Sequence, residues 1–347
     1  MSDYVISCVY PNDQRAMAQI DELLKNEGIE RDSNLDYTCA MFDQDYRVIG
    51  TGSCFKNTLR CFAVSADHQG EGLLNELITH LIGVQYERGN IHLFVYTKIA
   101  SAKFFSDLGF HEIARVRDVL VFMENRRNGF SEYLDRLKST AKQGRSASIV
   151  MNANPFTLGH QYLVEKAAAE CDTLHLFVVS EDSSLIPFAV RKQLVEKGVS
   201  HLNNVIVHES GPYIISNATF PSYFIKEKTA VIEAHAGLDV EVFKRIASVL
   251  NVSARFVGSE PDSLVTGIYN NVMEEELPKA GIECRVIPRL EVSGNAVSAS
   301  DVRKCLKTGD KEGLAALVPK TTLDYFCSEE ALPVIEKIMK SDNVVHY

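Results

Sequence analysis

The sequence has no apolar run approaching the ~18 residues that cross a bilayer. Its opening residues, MSDYVISCVY, carry neither a basic segment nor the long apolar stretch of a secretory leader. Both absences favour a cytoplasmic protein with no membrane partner. Positive charge is scarce as well. With 36 Lys and Arg against 46 Asp and Glu, the net charge is -10, which argues against a broad basic face for nucleic acid and favours a small ligand, while leaving room for a local basic pocket for phosphate. The eight cysteines (Cys8, Cys39, Cys54, Cys61, Cys171, Cys284, Cys305, Cys327) include no CxxC pair and mostly lie in apolar runs, as reduced core thiols do. No metal site is expected from them. Internal repeats and low-complexity tracts are missing too, so each large segment should fold.

A chain of 347 residues has room for two cores, at about 150 residues per domain. The two halves differ in rhythm. Within residues 4–125, β-rich runs at 38–42, 48–55 and 58–64 are separated by turn residues and read as an antiparallel meander. A helix over 71–86 follows, with Leu73, Leu77 and Leu81 beside Leu74, Ile78 and Ile82 on one face. Then come a strand at 91–96, a short helix at 100–108 and further strand over 112–122. Residues 126–145 are charged, with few apolar residues at helical spacing, and read as a helical linker. From residue 146 the pattern alternates: strand 147–151, helix 159–169, strand 173–179, helix 187–198, strands 204–208 and 229–233, a helix from 240, strand 253–257, a helix from 264, strand 283–287 and terminal helices. That alternation predicts a parallel sheet covered on both faces, with ligands at the C-terminal ends of its strands. The expected fold class is α/β: an N-terminal α+β domain over 1–125, the linker over 126–145, and a Rossmann-like doubly wound domain over 146–347.

Directly after the strand ending at Met151 stand Asn152, Ala153, Asn154, Pro155, Phe156, Thr157, Leu158, Gly159 and His160, and then a helix. Unpaired amides and the dipole at such a junction bind anions. Gly159 would let a nucleotide approach the backbone, Thr157 and His160 could donate to phosphate, and a prepositioned imidazole would stabilise charge growing on an α-phosphate. The plainer alternative is a set of turn residues beside a surface histidine. A second helix start, Ser298 to Asp301, has an N-cap with an acidic residue three on. Ser298, Ser300, Arg303 and Lys304 there suit the β- and γ-phosphates of a leaving pyrophosphate, although a plain capped helix has the same pattern.

The pair TxGH (Thr157, Gly159, His160) and SxSxxR (Ser298, Ser300, Arg303) resembles the HxGH and ISSSxxR signatures of the nucleotidyltransferase superfamily. In the wider context of NANPFTLGHQYLVEKAA, SSLIPFAVRKQLV, GPYIISNATFPSYFIK and VGSEPDSLVTGIYNNVM, nearly the whole chain resembles the citrate lyase ligase family, and Thr157 in place of the first His fits it. The resemblance implies that acetate attacks ATP to give acetyl-adenylate, and that the thiol of the CoA-like prosthetic group on citrate lyase's acyl-carrier subunit then takes the acetyl group. It implies His160, Thr157 and Arg303 as catalytic residues, with Asn152, Asn154, Pro155, Phe156, Gly159, Gly258, Ser298, Ser300 and Lys304 around the nucleotide. Magnesium would enter through phosphate oxygens. Arg191 or Lys192 could meet acetate, or simply form a solvated basic helix face. Glu260 or Asp262, after Gly258, could accept from a ribose hydroxyl or merely start the next helix.

In the front half, residues 64–74 (VSADHQGEGLL) open the amphipathic helix with glycines, and 102–110 (AKFFSDLGF) follows later. Both resemble the acetyl-CoA-binding features of GNAT N-acetyltransferases. Leu74 replaces the usual Gly or Ala, and Phe105 stands where a Tyr often acts as general acid; a phenyl ring has no proton to give. A GNAT-like fold that holds a CoA-like arm is therefore expected, with a structural relic as the alternative. His68, His80, His92 and His111 show no ligand spacing. Two rivals stay open: an adenylyltransferase of cofactor synthesis, and a non-catalytic module that senses ATP or acyl-CoA.

Overall fold

The computed structural model describes residues 4–214, 220, 221, 223, 225, 227–259 and 264–341. The chain divides into two compact units, Met1–Ser131 with Pro221–Glu241, and Glu132–Phe220 with Val242–Tyr347.

The first unit contains, in order, β1 (Val5–Cys8), α1 (Gln14–Asn26), β2 (Tyr37–Phe42), β3 (Val48–Phe55), β4 (Thr58–Val64), α2 (Leu73–Glu87), β5 (Phe94–Thr97), α3 (Ile99–Asp107), β6 (His111–Val116) and β7 (Leu120–Glu124). Among the described residues its strands form one sheet in the order β1-β2-β3-β4-β5-β7-β6. Neighbours run antiparallel except β4 and β5, which run parallel and pair only at Thr58 with Phe94 and Leu59 with Val95. Leu73, Leu77, Ile78 and Leu81 of α2 are buried against Cys39, Met41, Leu59 and Val95, as their spacing predicts. Phe105 is also in this cluster, edge-on to Phe62 at 5.8 Å and Phe110 at 5.9 Å. The stretch over 112–122 is in fact a hairpin, β6 and β7, that turns at Asp118 with φ 55.

Next comes α4 (Gly129–Lys138). Its Phe130, Tyr133, Leu134 and Leu137 are buried, so the apolar residues of the charged stretch form one packed face. The Glu124 carboxylate receives the Phe130 amide at 2.7 Å and lies so close over Gly129 that a Cβ there would collide with it.

The second unit holds β8 (Ser146–Met151), α5 (Leu158–Ala169), β9 (Thr173–Val178), α6 (Phe188–Gly198), β10 (Val205–Glu209), the end of α7 (Lys228–Leu250), β11 (Val252–Gly258), α8 (Leu264–Glu276) and β12 (Glu283–Ile287). A short hairpin, β13 (Glu291–Val292) and β14 (Asn295–Ala296), and helices α9 (Ala299–Thr308), α10 (Lys311–Leu317), α11 (Lys320–Phe326) and α12 (Leu332–Lys340) complete it. The sheet is parallel, in the order β10-β9-β8-β11-β12. The order reverses between β8 and β11, so the crevice beyond their C-terminal ends is where such a sheet binds its ligand. Alternate residues Ala147, Ile149, Met151, Leu174, Leu176 and Val178 fill one face against Val164 and Ala167 of α5. The strand expected at 229–233 does not exist. Those residues belong to α7, which runs on through 250; a short run holding Thr229, Val231 and Ile232 cannot by itself be told from part of a helix.

Candidate functional site

The crevice is bordered by the loop after β8. The chain leaves β8 through Asn152, enters the left-handed region at Ala153 with φ 51, and reaches α5 across a cis Asn154–Pro155 bond. Phe156 is fully buried. Thr157 is the N-cap of α5, and His160 completes a reciprocal capping box with it. The Thr157 amide donates to His160 Nδ1 at 3.1 Å, the His160 amide donates to Thr157 Oγ1 at 3.2 Å, and Oγ1 lies 2.9 Å from Nδ1. The first two amides of the helix, of Leu158 and Gly159, have no intrahelical acceptor. Burial, helped by the positive charge of Arg289, pushes the half-buried His160 down to about 4, so the ring is neutral at ordinary pH.

The second element lies against the first. Ser298 caps α9 by accepting from the Asp301 amide at 3.2 Å. Arg303, buried in the next turn, donates from Nη1 to the Asn154 carbonyl and from Nη2 to Ser300 Oγ at 3.0 Å. Its guanidinium is lowered to about 10 by desolvation, against the raising effect of Asp301, and so stays charged. Gly159 has its own reason for lacking a side chain: a Cβ there would stand 3.3 Å from the Val297 carbonyl. Its bare Cα admits the segment before α9, where the sequence alone suggested room for a nucleotide. Lys304 is exposed and paired with Asp301 at 2.8 Å.

Other expected residues fall differently. Asn152, Asn154 and Arg191 bind the loop to the residues after β9. Arg191 is wholly buried and donates to the carbonyls of Ile186 (3.0 Å), Asn152 (2.8 Å), Val179 (2.8 Å) and Glu181 (2.7 Å), and to Asn152 Oδ1 (2.8 Å). Asn154 Oδ1 accepts from the Ile186 amide at 3.1 Å, and Asn152 Nδ2 donates to Ser184 Oγ at 3.1 Å. Wholly buried and bonded to this backbone, Arg191 holds the loop in place. Lys192 ion-pairs with Glu209 at 2.7 Å and Glu196 at 3.8 Å. Gly258 ends β11 with open space where a Cβ would stand. Glu260 and Asp262 fall outside the described residues. Arg289, missed in the sequence reading, stands after β12, next to Leu290, whose carbonyl accepts from the Val297 amide at 2.9 Å. Only its charge could have signalled it.

A sequence profile of the citrate lyase ligase C-terminal domain matches residues 146–326. The citrate (pro-3S)-lyase ligase of Klebsiella pneumoniae is 40% identical over 312 residues, which span 88% of this chain and 91% of that protein. Its counterpart in Escherichia coli (strain K12) is 40% identical over 331 residues, 92% and 93% of the two chains. The chain belongs to the citrate lyase ligase family. Membership places it among enzymes of the ligase class, and the crevice described above lies in the part that defines the family. A solved acetyltransferase of the GNAT family from Staphylococcus aureus Mu50 matches with 17% identity and a TM-score of 0.30, covering 35% of this chain and 100% of that one. No helix among the described residues is long and apolar enough to cross a membrane.

Proposed function

We propose that this protein adenylates acetate with ATP and passes the acetyl group to the thiol of the CoA-like prosthetic group on the acyl-carrier subunit of citrate lyase, in the cytoplasm. The bond from Arg303 to the Asn154 carbonyl carries the proposal. It joins two helix N-termini, each able to bind an anion, into one grip suited to a triphosphate. Family membership supplies the acceptor.

In the first step an acetate oxygen bonds to the α-phosphorus while the bond to the bridging oxygen breaks, and pyrophosphate leaves with the electron pair. His160 and the amides of Leu158 and Gly159 meet the charge that grows on the nonbridging α-oxygens. The start of α9, with Ser298, Ser300, Arg303 and Lys304, takes the β- and γ-phosphates. In the second step the thiolate sulfur bonds to the acetyl carbon, the carbon–oxygen bond to AMP breaks, and the thiol's proton passes to solvent. Among the described residues no group of three or more His, Cys, Asp or Glu could hold a metal. Magnesium would enter with the nucleotide rather than on a protein ligand cluster, and would supply neutralisation of the triphosphate's charge. The N-terminal unit, whose Phe105 is buried in the core, holds the carrier's arm and does no acetyl transfer of its own.

The test is to incubate the purified protein with ATP, magnesium and labelled acetate, with and without deacetylated carrier. Acetate-dependent pyrophosphate and label on the carrier are expected. A dinucleotide product independent of acetate would mark a cofactor adenylyltransferase, and nucleotide binding without pyrophosphate a sensor; either result overturns the proposal. His160→Ala should slow adenylation by about two orders of magnitude, the loss of one oxyanion donor, and near-normal turnover would remove His160 from the mechanism.

A further inference from the structure

We propose that Thr157 is a positioning residue: its amide and hydroxyl lock the His160 imidazole as a neutral Nε2–H donor to the α-phosphate, and its hydroxyl does not touch the nucleotide. The inference rests on the adenylyl-transfer reading above and assigns Thr157 a task other than direct phosphate contact. Thr157 is 1% exposed, so its side chain does not face a ligand. A backbone N–H only donates; the 3.1 Å contact from the Thr157 amide therefore requires a bare lone pair on Nδ1. A neutral imidazole with a bare Nδ1 carries its proton on Nε2. The hydroxyl is used twice over within the box, accepting from the His160 amide and lying against Nδ1. The Phe156 ring, 5.9 Å away and tilted by 18°, stacks on the imidazole and fixes its plane.

An imidazolium would set a proton on Nδ1 against the Thr157 N–H, so the capping box itself opposes protonation. The surrounding charges agree. Arg289, after β12, acts on the ring and lowers its pKa together with burial. On α9, Arg303 is engaged with Asn154 and Ser300, and Lys304 with Asp301. A locked neutral donor suits the first step, because acetate attacks as a carboxylate and no proton has to move. His160 then needs only to donate, with the same strength throughout the neutral range.

The test uses the full-length protein and its Thr157→Ser and Thr157→Val variants. Long-range nitrogen–proton correlations of the imidazole, assigned with His160→Gln, report the tautomer without turnover; acetate-dependent pyrophosphate release reports the chemistry. Wild type and Thr157→Ser should show a bare Nδ1, a protonated Nε2 and similar rates. Thr157→Val should mix the tautomers, raise the pH at which the ring titrates, and lower kcat by about a hundred-fold, the scale of a small misplacement, with less effect on the KM for ATP. A raised KM for ATP with kcat and the imidazole signals unchanged would place the hydroxyl on the nucleotide and overturn the proposal. So would a wild-type ring protonated on Nδ1. If wild type released no pyrophosphate with acetate, the adenylyl-transfer reading would fall, and with it the role assigned to Thr157, whereas the tautomer would still show whether the lock exists.

Discussion

A guanidinium can grip a carboxylate with its planar fork or bind together strands of backbone that would otherwise have no donors. Arg191 does the second, with four carbonyls and the Asn152 side chain around it. Lysine has three donors and no fork, so Arg191→Lys should leave buried carbonyls unmet at about 1–3 kcal/mol each. The expected outcome is a thermal midpoint lower by several degrees, with the KM values for ATP and acetate rising together. A selective rise in the acetate KM at an unchanged midpoint would return Arg191 to the substrate. At this scale the sequence showed which residue types cluster but not where their polar atoms go. Thr157, Gly159 and Arg191 look alike as phosphate or substrate contacts in one dimension. In the fold, Thr157 holds a histidine, Gly159 admits the Val297 carbonyl, and Arg191 faces inward.

Among the elements, β9 and β10 hold a buried pair that no motif marks. His175 Nδ1 and His208 Nε2 are 2.9 Å apart, and burial pushes both rings down to about 4, with Lys142 adding to the shift at His175 and His175 to that at His208. An unfolded chain's histidines titrate near ~6.5, so as the pH falls the unfolded state takes up protons before the folded one does. Their contribution to stability is therefore complete above about pH 6.5 and is lost progressively towards about pH 4. Urea midpoints should fall from pH 7 to pH 5, and a His175→Leu/His208→Phe double variant should flatten that slope; an equal slope in both proteins would rule the pair out as its source. Legibility was uneven here. The α2 stripe and the alternation after residue 146 were plain because long amphipathic periods outweigh local ambiguity. Helix α1 was overlooked, although Asp13 caps it by accepting from the Ala16 amide at 3.0 Å and Ala16, Ile20, Leu23 and Leu24 share its buried face. Over 229–233, Thr229, Val231 and Ile232 are β-branched and suggest a strand, but so short a run does not distinguish a strand from part of a helix.

For the whole molecule, the sequence reading divides the chain into consecutive domains, whereas Pro221–Glu241 packs with Met1–Ser131. No composition shift marks that return. Its anchor is Tyr223, buried with Val9, Ile20, Leu24 and Ala63. Its hydroxyl donates to the Tyr96 carbonyl at 2.7 Å, and its own carbonyl accepts from the Glu30 amide at 2.8 Å. The Tyr96 bond lies on β5, one residue beyond Val95, where the pairing with β4 ends. Tyr223→Phe keeps the ring and removes the donor, so it should destabilise the protein by about 1–3 kcal/mol, the cost of a buried carbonyl left unmet, and speed amide exchange across β5. Removing residues 1–125 should do more. It takes away every partner just named and exposes the Tyr223 ring, so the fragment should lose its cooperative thermal transition and bind a hydrophobic dye. A fragment that melted cooperatively at the wild-type Tm would show that the second unit stands without this return of the chain. It would also make truncation a clean way to ask whether the first unit holds the carrier's arm.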